Sequence, residues 1–157
     1  MAIPQAGART ATTLTVLLVE NEKNEALFLH RVLSRSGWVN FIRTVHDGEE
    51  AVCYLQGLEK YADRHSYPLP DVIVTDLKMS GMGGMGVLKW LKSHPNFFVI
   101  PIIVLTDSQS SSDIQTAYAL GVNAYMVKPV NPDQFEEMVK DTLAYWASCR
   151  TPRPMPY

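Results

Sequence analysis

The sequence predicts an α/β fold: one domain with a five-stranded parallel sheet flanked by five helices. Three observations carry that expectation. Apolar runs of strand length alternate along the chain with stretches whose apolar residues recur at helical spacing, the pattern of parallel strands joined by crossover helices. The 157 residues suit one ordinary domain, and hydrophobic residues make up 46% of them, enough for a packed core. No apolar run approaches the ~20 residues of a membrane span.

The elements follow in order. TLTVLLVE (13–20) reads as a buried strand, followed by a helix with Ala26, Leu29 and Leu33 on one face and Gly37 as its stop. NFIRTV (40–45) is a second strand, and Asp47 and Glu50 have the spacing of a capping box for a helix reaching about Leu58. EKYADRHSYPLP, polar and punctuated by proline, reads as a surface loop. DVIVTD (71–76) is the third strand, and Gly84, Val87, Leu88 and Leu91 mark the next helix at offsets 0, 3, 4 and 7. PIIVLT (101–106) is the fourth strand. A serine cluster and Asp113 start a helix through Ile114, Ala117 and Tyr118, and Gly121 ends it. AYMV (124–127) is the fifth strand. Asn131-Pro132 is a cap with proline in the first helical position, and Phe135, Met138, Val139, Thr142, Leu143 and Trp146 share one face of the last helix. Residues 1–12 are expected as a flexible extension, 13–147 as the domain, and 148–157 as a proline-rich tail with no output domain behind it.

Fourteen Lys plus Arg against sixteen Asp plus Glu give a net charge of −2, which offers no electrostatic case for nucleic acid or an anionic membrane. The N-terminus lacks a signal peptide's apolar stretch, so a cytoplasmic protein is expected. Cys53 and Cys149 form neither a disulfide framework nor a metal spacing, and Cys53 reads as a buried small hydrophobe. His30, His46, His65 and His94 are scattered singly and read as surface or capping residues.

In open parallel sheets the working residues lie beyond the carboxyl ends of the strands. Here those ends read Glu20-Asn21-Glu22, Asp76, Thr106-Asp107 and Lys128-Pro129, so carboxylates, a hydroxyl and an ammonium gather at one edge. Phosphoryl transfer needs positioned groups and neutralisation of charge on the equatorial oxygens, which such a set supplies. Mg²⁺ takes oxygen ligands and keeps waters, which suits a few carboxylates with a backbone carbonyl.

LLVEN, DVIVTDLKM, PIIVLTD and AYMVKPV, in this order and spacing, resemble the four signature blocks of response-regulator receiver domains, a flavodoxin-like doubly wound family. The match spans roughly residues 13–147. DGEEAVCYL, YADR…YPLPD and AYW resemble more narrowly the single-domain regulators paired with bacterial and cyanobacterial phytochromes. The resemblance implies that Asp76 accepts a phosphoryl group from a phosphohistidine on a sensor histidine kinase. Glu20, Asn21, Asp76 and the Lys78 backbone carbonyl would hold Mg²⁺. Lys128 would pair with the phosphoryl oxygens, Thr106 would donate its hydroxyl to them, and Tyr125 would swing inward in response. The Lys128–Pro129 peptide would be cis, and the region of Tyr145 and Trp146 would form a homodimer contact, one ring in the core and one exposed. Such a protein is a switch rather than an enzyme with turnover.

Four positions depart from the family pattern. Asn21 stands where an aspartate normally binds the metal, so a formal charge is lost and affinity falls. Glu22, its neighbour, points elsewhere by strand alternation. Asp107 follows the threonine where a small residue is usual, and two unit charges ~5 Å apart at a dielectric near 20 repel by about 3 kcal/mol. Ser80 and Gly83 replace a proline and an aspartate, so GMGGMG is expected to be unusually flexible. These departures favour an alternative: a degenerate receiver that binds partners without efficient phosphorylation. A more remote alternative is a dinucleotide-binding module, because Gly81, Gly83 and Gly86 fit G-x-G-x-x-G. Its position argues against it, since Leu77–Ser80 separate it from the strand end.

Overall fold

The structure is a computed structural model that describes residues 13–154; the expected extension 1–12 and the last three tail residues lie outside them. Five strands, β1 (Leu14–Val19), β2 (Val39–Val45), β3 (Val72–Thr75), β4 (Ile102–Thr106) and β5 (Ala124–Val127), form one parallel sheet in the order β2-β1-β3-β4-β5. That order is the flavodoxin-like doubly wound arrangement expected from the sequence, with its switch point between β1 and β3.

The central strands are buried on both faces, so alternate side chains feed two separate apolar layers. Leu17 and Val19, Ile73, and Ile102 and Val104 face helices α2 (Gly48–Gln56), α3 (Gly84–Lys92) and α5 (Ser111–Ala119). Val16 and Leu18, Val72 and Val74, and Ile103 and Leu105 face α1 (Lys23–Arg35) and α6 (Pro132–Ser148). On α6 the buried set Phe135, Val139, Leu143 and Ala147 recurs every four residues, and each large side chain there stabilises the fold by about 1.5–3 kcal/mol. Asn131 caps α6 by accepting from the Asp133 and Gln134 N–H groups, with Pro132 in the first turn.

Two elements go beyond the sequence reading. Pro95–Phe98 forms a single helical turn, α4, which buries Phe97 against α3 and β4. The stretch read as a surface loop after α2 holds a 3-10 turn at Glu59–Tyr61, and Tyr61 is 3% exposed. Polar composition concealed a small aromatic core: Tyr61 packs against Tyr54 and Tyr67 with ring centroids 4.9 and 5.1 Å apart. Arg64 ties this segment to α2 by donating to the Tyr54 and Leu55 carbonyls in the last turn of the helix. Gly57 ends that helix in the left-handed region at φ 68. Cys53 is half-buried against this layer rather than fully enclosed. Described tail residues fold back under the sheet, where Arg153 pairs with Asp71 at 3.2 Å. Among the described residues no helix is long and apolar enough to cross a membrane.

Candidate functional site

The carboxyl ends of β1, β3, β4 and β5 deliver their side chains to one cleft because the parallel register aligns them. Glu20, Asn21, Glu22, Glu25, Asp76, Lys78, Thr106, Asp107 and Lys128 line it. Backbone bonds hold the strand ends in place: the Glu20 N–H donates to Val45 O, the Asp76 N–H to Val19 O, and the Lys128 N–H to Thr106 O. The expected residues are thus brought together, with Tyr125 one turn of the chain away.

Asp76 sits at the centre. Its Oδ2 accepts from Lys128 Nζ at 3.0 Å and its Oδ1 from the Lys78 N–H at 3.3 Å. Lys128 is also 3.1 Å from Glu25 Oε1 and 4.0 Å from Glu20 Oε2, so three carboxylates share one ammonium. Burial alone would lower the Lys128 pKa, but the Asp76 and Glu25 carboxylates more than compensate and hold it above its ordinary value. Glu20 is 3% exposed, and that burial raises its carboxyl above the usual range, offset in part by the Glu22 N–H and by Lys128. Glu25 was not singled out from the sequence. It lies on the first turn of α1, where a carboxylate reads as favourable to the helix dipole and carries no separate signal.

Thr106 is fully buried, and its Oγ1 accepts from the Ser108 N–H at 3.2 Å. The Tyr125 hydroxyl donates to the Ser108 carbonyl at 2.9 Å, and Ser108 Oγ donates to Asp113. Ser108 therefore links the threonine, the tyrosine and the start of α5.

The departures take definite forms. Glu22 caps α1, accepting from the Asn24 and Glu25 N–H groups at 3.1 and 2.6 Å, so its oxygens serve the helix. Asn21 and Asp107 are both solvent-exposed at the cleft rim. One expectation is corrected. The described chain has no cis peptide, so Lys128–Pro129 is trans, and the ammonium reaches Asp76 from that geometry with the Lys128 N–H kept in the β4–β5 ladder. The glycine-rich loop is held at two points: the Gly48 N–H donates to Met82 O, and the Met82 N–H donates to Glu49 Oε1, each at 2.9 Å. The dinucleotide reading also loses its footing, because the loop's own atoms fill the space its glycines leave. A Cβ on Gly83 would lie 2.6 Å from Leu77 O, and one on Gly86 would lie 2.4 Å from Met82 Cγ.

The donor set suits a hard divalent cation. Glu20 and Asp76 carboxylates, an amide at Asn21 and backbone carbonyls of the following loop are all oxygen donors. Among the described residues no three of His, Cys, Asp and Glu converge as a metal cluster.

A parallel 2-1-3-4-5 sheet with an aspartate, a lysine, a threonine and an acidic strand end at its carboxyl edge defines a class, and sequence comparison agrees. The response regulator receiver domain matches residues 16–140, and the chain belongs to that family of two-component response regulators. The chain is similar to the phosphorylated cyanobacterial phytochrome response regulator RcpA, with a TM-score of 0.82 at 33% identity over 90% of this chain and 99% of that one. Response regulator Rcp1 of Synechocystis sp. is 31% identical over 131 residues, 83% of this chain and 87% of the relative. The Mn(2+)-bound form of Rcp1 gives a TM-score of 0.79 at 30% identity, covering 88% and 99%. A probable methanogenesis regulatory protein, FilR2 of Methanothrix harundinacea, is 32% identical over 140 residues, 88% of each chain.

Proposed function

We propose that Asp76 accepts a phosphoryl group from a sensor histidine kinase, and that Thr106 and Tyr125 convert its arrival into a change of partner binding. The observation that carries this reading is the Asp76–Lys128 contact at 3.0 Å in a cleft also lined by Glu20 and Thr106. An Asp76 carboxylate oxygen bonds to phosphorus as the phosphorus–nitrogen bond of the phosphohistidine breaks, and the imidazole, protonated on its other nitrogen, takes the bonding pair and leaves as the neutral ring. Lys128 faces the equatorial oxygens and offsets their charge. Glu20, Asn21, Asp76 and the Lys78 carbonyl would hold Mg²⁺, which supplies neutralisation of the transferred group's charge. The Mn(2+)-bound form of Rcp1 supports a divalent ion in such a cleft. The new group carries three strong acceptors, and the Thr106 hydroxyl is a buried donor in the same cleft for one of them. Taking the Thr106 hydroxyl pulls on Ser108, and Ser108 carries the carbonyl that now tethers Tyr125. The similarity to RcpA and Rcp1 favours a phytochrome-type kinase as the partner, in the cytoplasm, with the downstream target a protein docked on the responding face.

A second reading, a receiver that binds partners with little phosphorylation, draws on the commitment of Glu22 to the helix cap. Glu22 then does not replace the carboxylate absent at Asn21. Phosphotransfer to wild type and to Asp76→Asn, with Mg²⁺ titrated, separates the two. Mg²⁺-dependent label on wild type and none on Asp76→Asn is expected. Label of equal strength on both proteins, or none on either at millimolar Mg²⁺, would remove the first reading.

A further inference from the structure

The loop from the end of β3 to the start of α3 carries Asp76 and Lys78, and its own sequence does little to set its course. Gly81 sits at φ 71, a region that side-chain-bearing residues avoid, and no proline stiffens the run. The restraint comes from α2. The Gly48 N–H donates to the Met82 carbonyl and the Met82 N–H donates to Glu49 Oε1, so consecutive residues of one helical turn hold both backbone groups of Met82. The fit is close, since a Cβ on Gly48 would stand 2.2 Å from Met82 O, and one on Gly81 would stand 3.0 Å from Glu49 Oε1. The far end of the loop closes on the residue after the acceptor, where the Gly84 N–H donates to Leu77 O at 3.2 Å. Helix α2 is itself anchored: Asp47 accepts from the Glu50 N–H at 2.7 Å, and Glu50 accepts from the His46 N–H at 3.0 Å.

We propose that Glu49 is a positioning residue for this site: by accepting the Met82 N–H it sets the path of the loop and hence the place of the Lys78 carbonyl relative to Asp76. The proposal rests on the reading of Asp76 and the Lys78 carbonyl as cation ligands. Glu49 does not touch Asp76 and acts through Met82. Its side chain is exposed, so its contribution is that of an acceptor at a fixed point rather than of a long-range charge. Without it, the Met82 N–H turns to water and the loop samples other paths, a cost in cation affinity rather than in the chemical step.

The test uses the full chain as wild type, Glu49→Ala and Glu49→Gln. Mn²⁺ binding is read from the electron paramagnetic signal of the free ion, and Mg²⁺-dependent labelling by acetyl phosphate is measured alongside. Groups that orient the ligands of an ion contribute about ten- to hundredfold in affinity, so Glu49→Ala is expected to weaken Mn²⁺ binding by about tenfold. Its labelling rate at saturating Mg²⁺ should stay within about twofold of wild type, a shift in half-saturation without loss of rate. Glu49→Gln keeps an acceptor oxygen without the charge and should restore affinity to within about twofold of wild type. Equal Mn²⁺ affinity in wild type and Glu49→Ala would overturn the proposal, as would a Glu49→Gln protein as weak as Glu49→Ala. A wild type that takes no label on Asp76 while its Mn²⁺ affinity still depends on Glu49 would instead remove the phosphoacceptor reading and leave the positioning role standing.

Discussion

Replacing Glu25 with glutamine tests how tightly Lys128 is held back from an incoming phosphoryl group. Lys128 Nζ bonds to Asp76 at 3.0 Å and to Glu25 at 3.1 Å, and it has to release part of this to face phosphoryl oxygens. At 3.1 Å and an effective dielectric of 20, the Glu25 contact alone amounts to about 5 kcal/mol of attraction before solvation is counted. That figure is an upper bound, because the Glu25 side chain is 31% exposed and water screens it. Ion pairs of that exposure contribute up to about 1 kcal/mol net. Glu25→Gln should therefore accelerate acceptance by about fivefold, since each 1.36 kcal/mol is about a factor of ten. The assay is the initial rate of acetyl phosphate labelling at saturating Mg²⁺, with Asp76→Asn as the blank. A rate below wild type would refute the reasoning and show that Glu25 aims the ammonium instead of restraining it.

Four other substitutions have defined outcomes, two in the cleft and two in the packing around it. Asn21→Asp restores a carboxylate at the cleft rim and should lower the Mg²⁺ needed for half-maximal labelling by about tenfold. Asp107→Ser should raise the labelling rate further, and unchanged curves for both variants would remove the charge argument. Leu143, 1% exposed, should cost about 2–5 kcal/mol on replacement by alanine, read from urea denaturation with an unchanged slope. Burial alone would raise the Glu50 pKa, but hydrogen bonds from Tyr61, the His46 N–H and Lys60 hold it below the usual range, so its ionised form favours the folded state. That stability is present above the unfolded carboxylate pKa and is lost as pH falls through the lower folded value. The gap in melting temperature between wild type and Glu50→Gln should accordingly close on acidification, and a gap independent of pH would contradict it.

Most of the fold was legible because burial on both sheet faces leaves continuous apolar runs, and AYMV and the Gly84 helix start fall where their patterns put them. The site residues were legible for a related reason: strand ends are places in the chain as well as in space. What escaped were contacts that neither periodicity nor motif spacing encodes. Tyr61 looked like part of a polar loop because its partners, Tyr54 and Tyr67, are set by the path of the chain around Arg64. Glu25 looked like an ordinary first-turn acid because its partner, Lys128, lies across the sheet edge. The looseness expected of the Gly81–Gly86 run followed from its composition alone, and composition carries no trace of the hydrogen bonds that Gly48 and Glu49 make to it. Exposure of Tyr145, at 62% beside a half-buried Trp146, agrees with the division of the two rings read from the sequence.

The two apolar layers share no side chain, since each strand residue commits to one face of the sheet. Packing rearrangements on one side therefore reach the other through the strand backbone, which is paired from strand to strand across the sheet. Volume-changing substitutions in Leu88 and in Leu143 should add in their effects, as those of distant sites do. The helices on the α1 and α6 side and those on the α2, α3 and α5 side thus form two mechanically insulated halves. Sequence can drift in one half to suit a new partner while the other keeps its packing, and the strand ends are the one place where both halves meet the same chemistry.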